Sequence, residues 1–423
     1  MRIKKRTMAT LALTAVACSD SPTAPRREIT LHLCGAAWAA YRNDGDAWQS
    51  LPSGLSTREA TFAATDRLAI ATVSGVTGQF FAPFLQVHYL TAEQAEARFV
   101  CAGALSVAPP PNTKQLRGSV AGMNVEATVY ISMGRGVASA ETSFPNFQVS
   151  APSDGPADLI ATQFLSSPAP ISGRADKIIL RRSESHADGA TMPVLDFASS
   201  EPFAPQPNTL TIDGFFTGTV SVSTNVVTQR GAFGALKYDF DQSSAVVTTH
   251  SLPASRLVEG DLHVTSVVAG DRSILFFYRT PADRTIALGP PARTPVLTVP
   301  AGSSNEVVRI DVPSQPEYDS QITAVLAQPQ PSTSNNTVRI SATREYFGGT
   351  PATWSLVVPN LTGVSGFSPS WGLSPGGNGA RVTVTGIPHG HSSGSARDGD
   401  IYRSATAFRT ILIPSPNARP ASP

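Results

Sequence analysis

Two stretches of this sequence bring metal-ligating or nucleophilic side chains close together. In Glu259-Gly260-Asp261-Leu262-His263, two carboxylates and an imidazole recur at every second residue. On a strand, that spacing turns all three toward one face. They would then lie within reach of one divalent cation, which carboxylate oxygen and imidazole nitrogen can both bind. On a turn, the same residues read differently: Gly260-Asp261 forms the corner, and His263 is a polar residue at a strand edge. His250 adds a further ligand if a hairpin brings it near. His389-Gly390-His391 spaces two imidazoles in the same way ahead of Asp398 and Asp400, but in a Gly/Ser loop that does not hold ligands in place. Asp398-Gly399-Asp400 lacks the other positions of a calcium loop. Gly390-His391-Ser392-Ser393-Gly394 fits the G-x-S-x-G pattern, which needs a strand-to-helix turn and a later histidine. Neither follows here, since His391 is the last histidine of the chain. Glycine-rich phosphate-binding motifs are absent. No catalytic set and no cofactor is expected; the metal reading rests on Glu259, Asp261 and His263.

The aromatics suggest binding instead. Trp38, Tyr41 and Trp48 cluster in one short stretch, and Trp354 and Trp371 lie far downstream. Exposed rings on a β-sandwich stack sugars or grip partners, so the first three are the candidate ligand-binding residues. Trp38 and Tyr41 are three apart and face opposite sides of a strand, so at most one of them is expected in a core.

The elements that position these residues are strands. Of the 423 residues, 15% are charged, against about 25% in average domains. Only 5 are Lys and 12 Glu, while Thr, Val, Ser and Pro recur throughout. That composition excludes a helical bundle, a coiled coil and a strongly basic nucleic-acid binder. No apolar run reaches the ~20 residues of a membrane-spanning helix, and the strand segments lack the clean alternation of a membrane barrel. We expect an all-β chain of several sandwich-like units in tandem, immunoglobulin-like or related, with one short helix near residues 92–99. Thr91 and Gln94 sit at the two positions of a capping box for that helix. Asp44-Gly45 reads as a hairpin corner that places Tyr41 opposite Trp48.

Boundaries follow the prolines. Residues 28–105 form a first small unit, closed by the stiff Ala108-Pro109-Pro110-Pro111 run. Residues 114–205 form a second unit. Within it, Phe147-Gln148-Val149, the turn Asp154-Gly155-Pro156 and Asp158-Leu159-Ile160-Ala161 resemble the β-sandwich modules of the carboxypeptidase regulatory and transthyretin-like families, which implies a sandwich. Residues 208–415 carry a long series of short strands, dividing near 290–301 if they make two units. Residues 416–423 form a disordered tail.

The N-terminus reads as an address. Arg2, Lys4, Lys5 and Arg6 precede the apolar run Met8–Ala17, and Ala15-Val16-Ala17 ends just before Cys18; this is signal-peptide architecture over residues 1–17. The junction resembles the lipobox of bacterial lipoproteins, although Ala15 stands where that family has Leu. The resemblance implies a lipid anchor on Cys18, a polar tether over residues 18–27, and a place in the cell envelope at the outer membrane or surface. An ordinary cleavage after Ala17 would instead release a soluble chain. Taking those four basic residues from the total of 32 leaves 28 against 31 acidic ones, with no basic stripe for nucleic acid. Export leaves Cys34 and Cys101 as a disulfide pair in an oxidising compartment. The expected role is binding or structural, by a single copy, toward the membrane through its anchor and an envelope protein or glycan. The alternative is an exported enzyme, metal-dependent in one form, whose site is assembled from distant residues.

Overall fold

Alternating Val, Ile and Thr between Gly, Pro and Asn corners is written for strands that bury one face. The computed structural model shows the chain in that form and describes residues 25–52, 58–74, 84–97, 99–101, 104–106, 113–134, 136–168, 171–214, 218–300, 306–327, 337–373, 376–386 and 396–413. The leader, Cys18 and the Gly390–Gly394 motif lie outside them.

The first unit comprises β1 (Arg27–Cys34), β2 (Ala36–Asn43), β3 (Gln49–Leu51), β4 (Arg58–Ala64), β5 (Arg67–Ser74), β6 (Phe84–Thr91), the helix α1 (Ala92–Glu96), β7 (Phe99–Cys101) and β8 (Ala104–Ser106). The second runs β9 (Thr113–Ala121), β10 (Thr128–Met133), β11 (Gly136–Glu141), β12 (Asn146–Pro152), β13 (Ala157–Pro168), β14 (Ile171–Glu184) and β15 (Leu195–Asp196). The third runs β16 (Gln206–Asp213), β17 (Val220–Val227), β18 (Phe233–Gln242), β19 (Val246–Ser251), β20 (Leu262–Ala269), β21 (Arg272–Tyr278) and β22 (Arg284–Ala287). The fourth runs β23 (Val296–Thr298), β24 (Glu306–Pro313), β25 (Gln321–Ala327), β26 (Thr337–Thr343), β27 (Thr353–Pro359), β28 (Gly376–Gly386) and β29 (Ile401–Ile413).

Each unit has a small sheet: β4-β1-β7-β8, β12-β9-β15, β19-β16-β22 and β23-β24-β27. The remaining strands of all four units join edge to edge in one sixteen-stranded sheet, ordered β11-β10-β13-β14-β18-β17-β20-β21-β29-β28-β25-β26-β6-β5-β2-β3. The spatial order of the units is therefore second, third, fourth, first. Three backbone ladders make the seams. Antiparallel β14 and β18 join over Ser172–Arg174, and antiparallel β21 and β29 over Arg272–Phe276. Parallel β26 and β6 join over Thr337–Ala342.

The last seam explains a departure from simple alternation. β5 and β6 are buried on both faces. On one face Leu68, Ile70 and Leu90 pack with Ile29 and Leu31 of β1. On the other, Leu85, Val87 and Tyr89 share a core with Ile310, Trp354 and Leu356 of the fourth unit. Near-continuous apolar runs are the sequence signature of strands covered on both sides.

The helix forms where the capping box places it. The Gln94 amide donates to Thr91 Oγ1 at 3.2 Å, and the Thr91 amide to Gln94 Oε1 at 3.2 Å. It ends at Glu96, short of Phe99, because Phe99 starts β7, whose backbone pairs with β1. The hairpin register also shifts: Tyr41 pairs with Gln49, not Trp48, and its hydroxyl donates to Gln49 Oε1 at 2.9 Å.

Candidate functional site

The first-unit aromatics turn inward. Trp38 is 3% exposed, and its indole N–H donates to the Ser365 carbonyl at 3.0 Å. Its ring packs against Phe367 and Trp371 at 5.0 and 6.3 Å between centroids. Tyr41 is buried in the opposite core, its ring against Phe62 at 3.9 Å. Both residues of the pair are thus core, against the expectation of at most one. A single buried face per strand does not apply to β2, whose Trp38 and Ala40 meet the fourth unit while Ala39 and Tyr41 meet β1 and β4. Trp48 is half-buried against the shared core, with the Arg42 guanidinium 5.3 Å from its ring. Trp38→Ala is expected to cost about 3–5 kcal/mol, read by urea unfolding. A cost below about 1 kcal/mol would show that Trp38 does not join the first unit to the fourth.

The Glu259, Asp261 and His263 set resolves as a turn, with Gly260 at φ +89° and β20 beginning only at Leu262. Glu259 points to solvent. Asp261, wholly buried, is occupied on both oxygens. Oδ1 accepts from Arg182 Nη1 at 3.1 Å and the Gln229 amide at 2.8 Å; Oδ2 accepts from Arg182 Nη2 at 2.6 Å and the Val258 amide at 3.0 Å. His263, also wholly buried, accepts on Nε2 from the Leu252 amide at 2.8 Å and stacks on Tyr278. Side chains so committed do not converge on a cation, and among the described residues no group of three or more His, Cys, Asp or Glu does.

What these residues build is a seam between the second and third units. Arg182, on β14, also donates from Nη1 to Asp158 Oδ2 at 2.9 Å and from Nη2 to the Arg256 carbonyl at 2.9 Å. One guanidinium therefore sits between a carboxylate of its own unit, 2% exposed on its side chain, and one of the next, 0% exposed. Burial would raise the Asp158 carboxyl, but the Ser183 amide, the Arg182 guanidinium and the Thr228 hydroxyl together hold it below the usual carboxylate range. Burial pushes the His263 imidazole down to about 4, with backbone groups of Tyr278 and Arg279 and the Asp261 charge offsetting part of it. Burial with the nearby Lys237 and Arg174 charges lowers His250 to about 4 as well.

Above this seam runs a row of rings that the sequence reading did not single out. Tyr130 meets Phe164 edge-on at 5.7 Å, Phe164 stacks on Tyr238 at 5.2 Å, and Tyr238 lies 5.3 Å from Phe240. Gly173 lies beneath the central pair: a Cβ there would fall 2.3 Å from Phe164 and 2.6 Å from Tyr238. Tyr130 and Phe240, at the ends, are exposed. The period-2 spacing of Tyr238 and Phe240 was the available signal. On the small sheet of the second unit, a shallow groove of about 460 Å3 lies between Arg117, Ser119, Asn146 and Gln148.

Cys34 and Cys101 fall opposite one another in the parallel β1–β7 register. Neighbouring strands run about 4.8 Å apart, within the Cα spacing a disulfide spans.

No family model and no curated protein matches this sequence. Among solved structures, the Bacillus anthracis TIE protein aligns over 91% of this chain at 7% identity and a TM-score of 0.14, and the chain spans 66% of that protein's length. A tetra-tandem repeat in the extending region of a large adhesion protein aligns over 92% of this chain and 99% of its own, at 13% identity and a TM-score of 0.16.

Proposed function

We propose that this chain is an exported, lipid-anchored protein of the cell envelope whose role is structural and binding. The observation that carries this reading is the weld of four sandwiches into one sixteen-stranded sheet. Backbone ladders at every seam make a stiff body, suited to holding a surface at a fixed distance from an anchor. The tether ahead of β1 gives such a body its attachment at Cys18, and oxidising conditions would close Cys34 onto Cys101 across β1 and β7. A bond closing that loop would add about 4 kcal/mol by restricting the unfolded chain.

Intact mass of the chain exported by a bacterial host tests both points. The expected result is a diacyl or triacyl mass on Cys18, lost in Cys18→Ser, with two hydrogens missing for the Cys34–Cys101 bond. An unmodified chain beginning at Cys18 would sink the anchored reading, and two alkylatable thiols would sink the bond. A glycan partner fits the exposed ends of the ring row, Tyr130 and Phe240, because sugar faces stack on exposed aromatic rings. Retention on insoluble envelope polysaccharide should fall at least fivefold in Phe240→Ala without a change in Tm; equal retention removes the ring row as that site.

A further inference from the structure

The groove on the small sheet of the second unit is built from one face of two strands. Arg117 and Ser119 of β9 stand opposite Gln148 and Asn146 of β12 in the antiparallel register, and cross-strand partners share a face. Thr191 forms a parallel bridge with Arg117 on the other flank. That bridge fixes the Arg117 backbone: its amide donates to the Ala190 carbonyl at 3.0 Å, and its carbonyl accepts from the Met192 amide at 2.8 Å. The floor between Arg117 and Ser119 is backbone, backed by the buried Phe147 ring, which lies 2.4 Å from where a Cβ on Gly118 would stand.

The polar groups of this groove are unspent. Among the described residues the Arg117 guanidinium has no hydrogen-bond or ion-pair partner, and no carboxylate lines the groove. The Asn146 amide and the Ser119 and Thr191 hydroxyls likewise make no hydrogen bond among those residues. Gln148 is held by a relay: its Nε2 donates to Gln115 Oε1 at 3.1 Å, and Gln115 Nε2 donates to Ser150 Oγ at 2.8 Å. The relay leaves Gln148 Oε1 open as an acceptor.

We propose that this groove binds a uronate sugar of an acidic polysaccharide, with the carboxylate on Arg117 and the ring hydroxyls on the groups beside it. The step rests on the glycan reading above and names the class of sugar. A guanidinium presents two parallel N–H groups that match the two oxygens of a carboxylate. Amide and hydroxyl side chains both donate and accept, as sugar hydroxyls do. The single cation has no acid to oppose it, which favours a charged sugar over a neutral one. An acidic peptide would find its carboxylate met but no apolar seat for its other side chains, since the one apolar ring of the groove, Phe147, is buried. The volume of about 460 Å3 falls in the range of about 300–1,000 Å3 that small-ligand sites occupy. Arg117 is exposed, so the contact should weaken as salt rises.

Titration of the full-length, unlipidated Cys18→Ser chain with polygalacturonate tests the groove. The expected result is binding that falls at least tenfold with the methyl-esterified polymer, which is the same sugar without its charge. Arg117→Gln should lose the same factor toward the acid form with unchanged Tm. Arg117→Lys, which keeps the charge but not the planar fork, should recover only part of it. No binding, equal binding of acid and ester, or binding indifferent to Arg117→Gln overturns the proposal. Polyglutamate bound as tightly as polygalacturonate, with the same dependence on Arg117, overturns the sugar as its ligand. Retention on envelope polysaccharide that falls in Phe240→Ala but not in Arg117→Gln removes the groove and leaves the glycan reading standing. Retention indifferent to both variants overturns the two together.

Discussion

Arg182→Leu is expected to destabilise the protein by about 3–5 kcal/mol, the scale for removing one partner from a buried ionic cluster. The guanidinium neutralises Asp158 and Asp261, which are 2% and 0% exposed on their side chains, and it also fills a bond to the Arg256 carbonyl. Leucine would leave two buried carboxylates facing each other across the seam of the second and third units. The Asp158 carboxyl, which the guanidinium helps to hold below the usual carboxylate range, would move up. Stability lent by a lowered carboxyl is present above its unfolded pKa and is lost from the unaltered protein as pH falls through the folded one. The deficit of Arg182→Leu should therefore shrink as pH falls toward 4, whereas a packing defect would not change. Adding Asp158→Asn and Asp261→Asn should recover part of the loss at pH 7. Urea unfolding across that range reads all three results, and a pH-independent deficit would count against the charge account.

The second large effect is acid sensitivity above the range of ordinary carboxylates. His250 and His263 are both held near 4 by burial, while an unfolded histidine titrates near 6.5. Between those values the unfolded chain binds protons that the native chain refuses, so stability falls as pH drops from about 6.5 to 4. The difference converts to about 3 kcal/mol for each histidine at most. Midpoints in urea at pH 7.5, 5.5 and 4.0 should show this slope, with roughly half of it gone in His263→Gln. The slope is the informative quantity, since glutamine also alters the bond from the Leu252 amide and lowers stability at every pH. An unchanged slope would mean that His263 is protonated in the native protein.

Particular residues show why the strands were legible and the site was not. Thr91 and Gln94 announce the helix because a capping box is local, and Val220–Val227 announces a strand because alternation is local. Asp261 looked like a metal ligand because its neighbours at 259 and 263 were visible, while its partner Arg182 lies 79 residues upstream. No local pattern carries that pairing. Trp38 and Tyr41 mislead for a related reason: the rule that one strand face is wet assumes a two-layer unit, and β2 has a layer on each side. The runs Ala36–Tyr41, Leu68–Val73 and Leu85–Leu90 did carry the trace of it, as strands too apolar for a wet face. The order of the units is likewise a long-range fact, settled by ladders such as β6 with β26.

That ladder also sets a timetable. His88 and Ser341, register partners on β6 and β26, are separated by 253 residues of chain. The first unit leaves the ribosome some 253 residues ahead of the strand that covers it, so an apolar face of β5 and β6 has to wait for that length of chain before its cover exists. Contacts that close such long loops are slow, and apolar surface exposed meanwhile invites aggregation. Chains interrupted before the fourth unit should be the ones that need a holding chaperone.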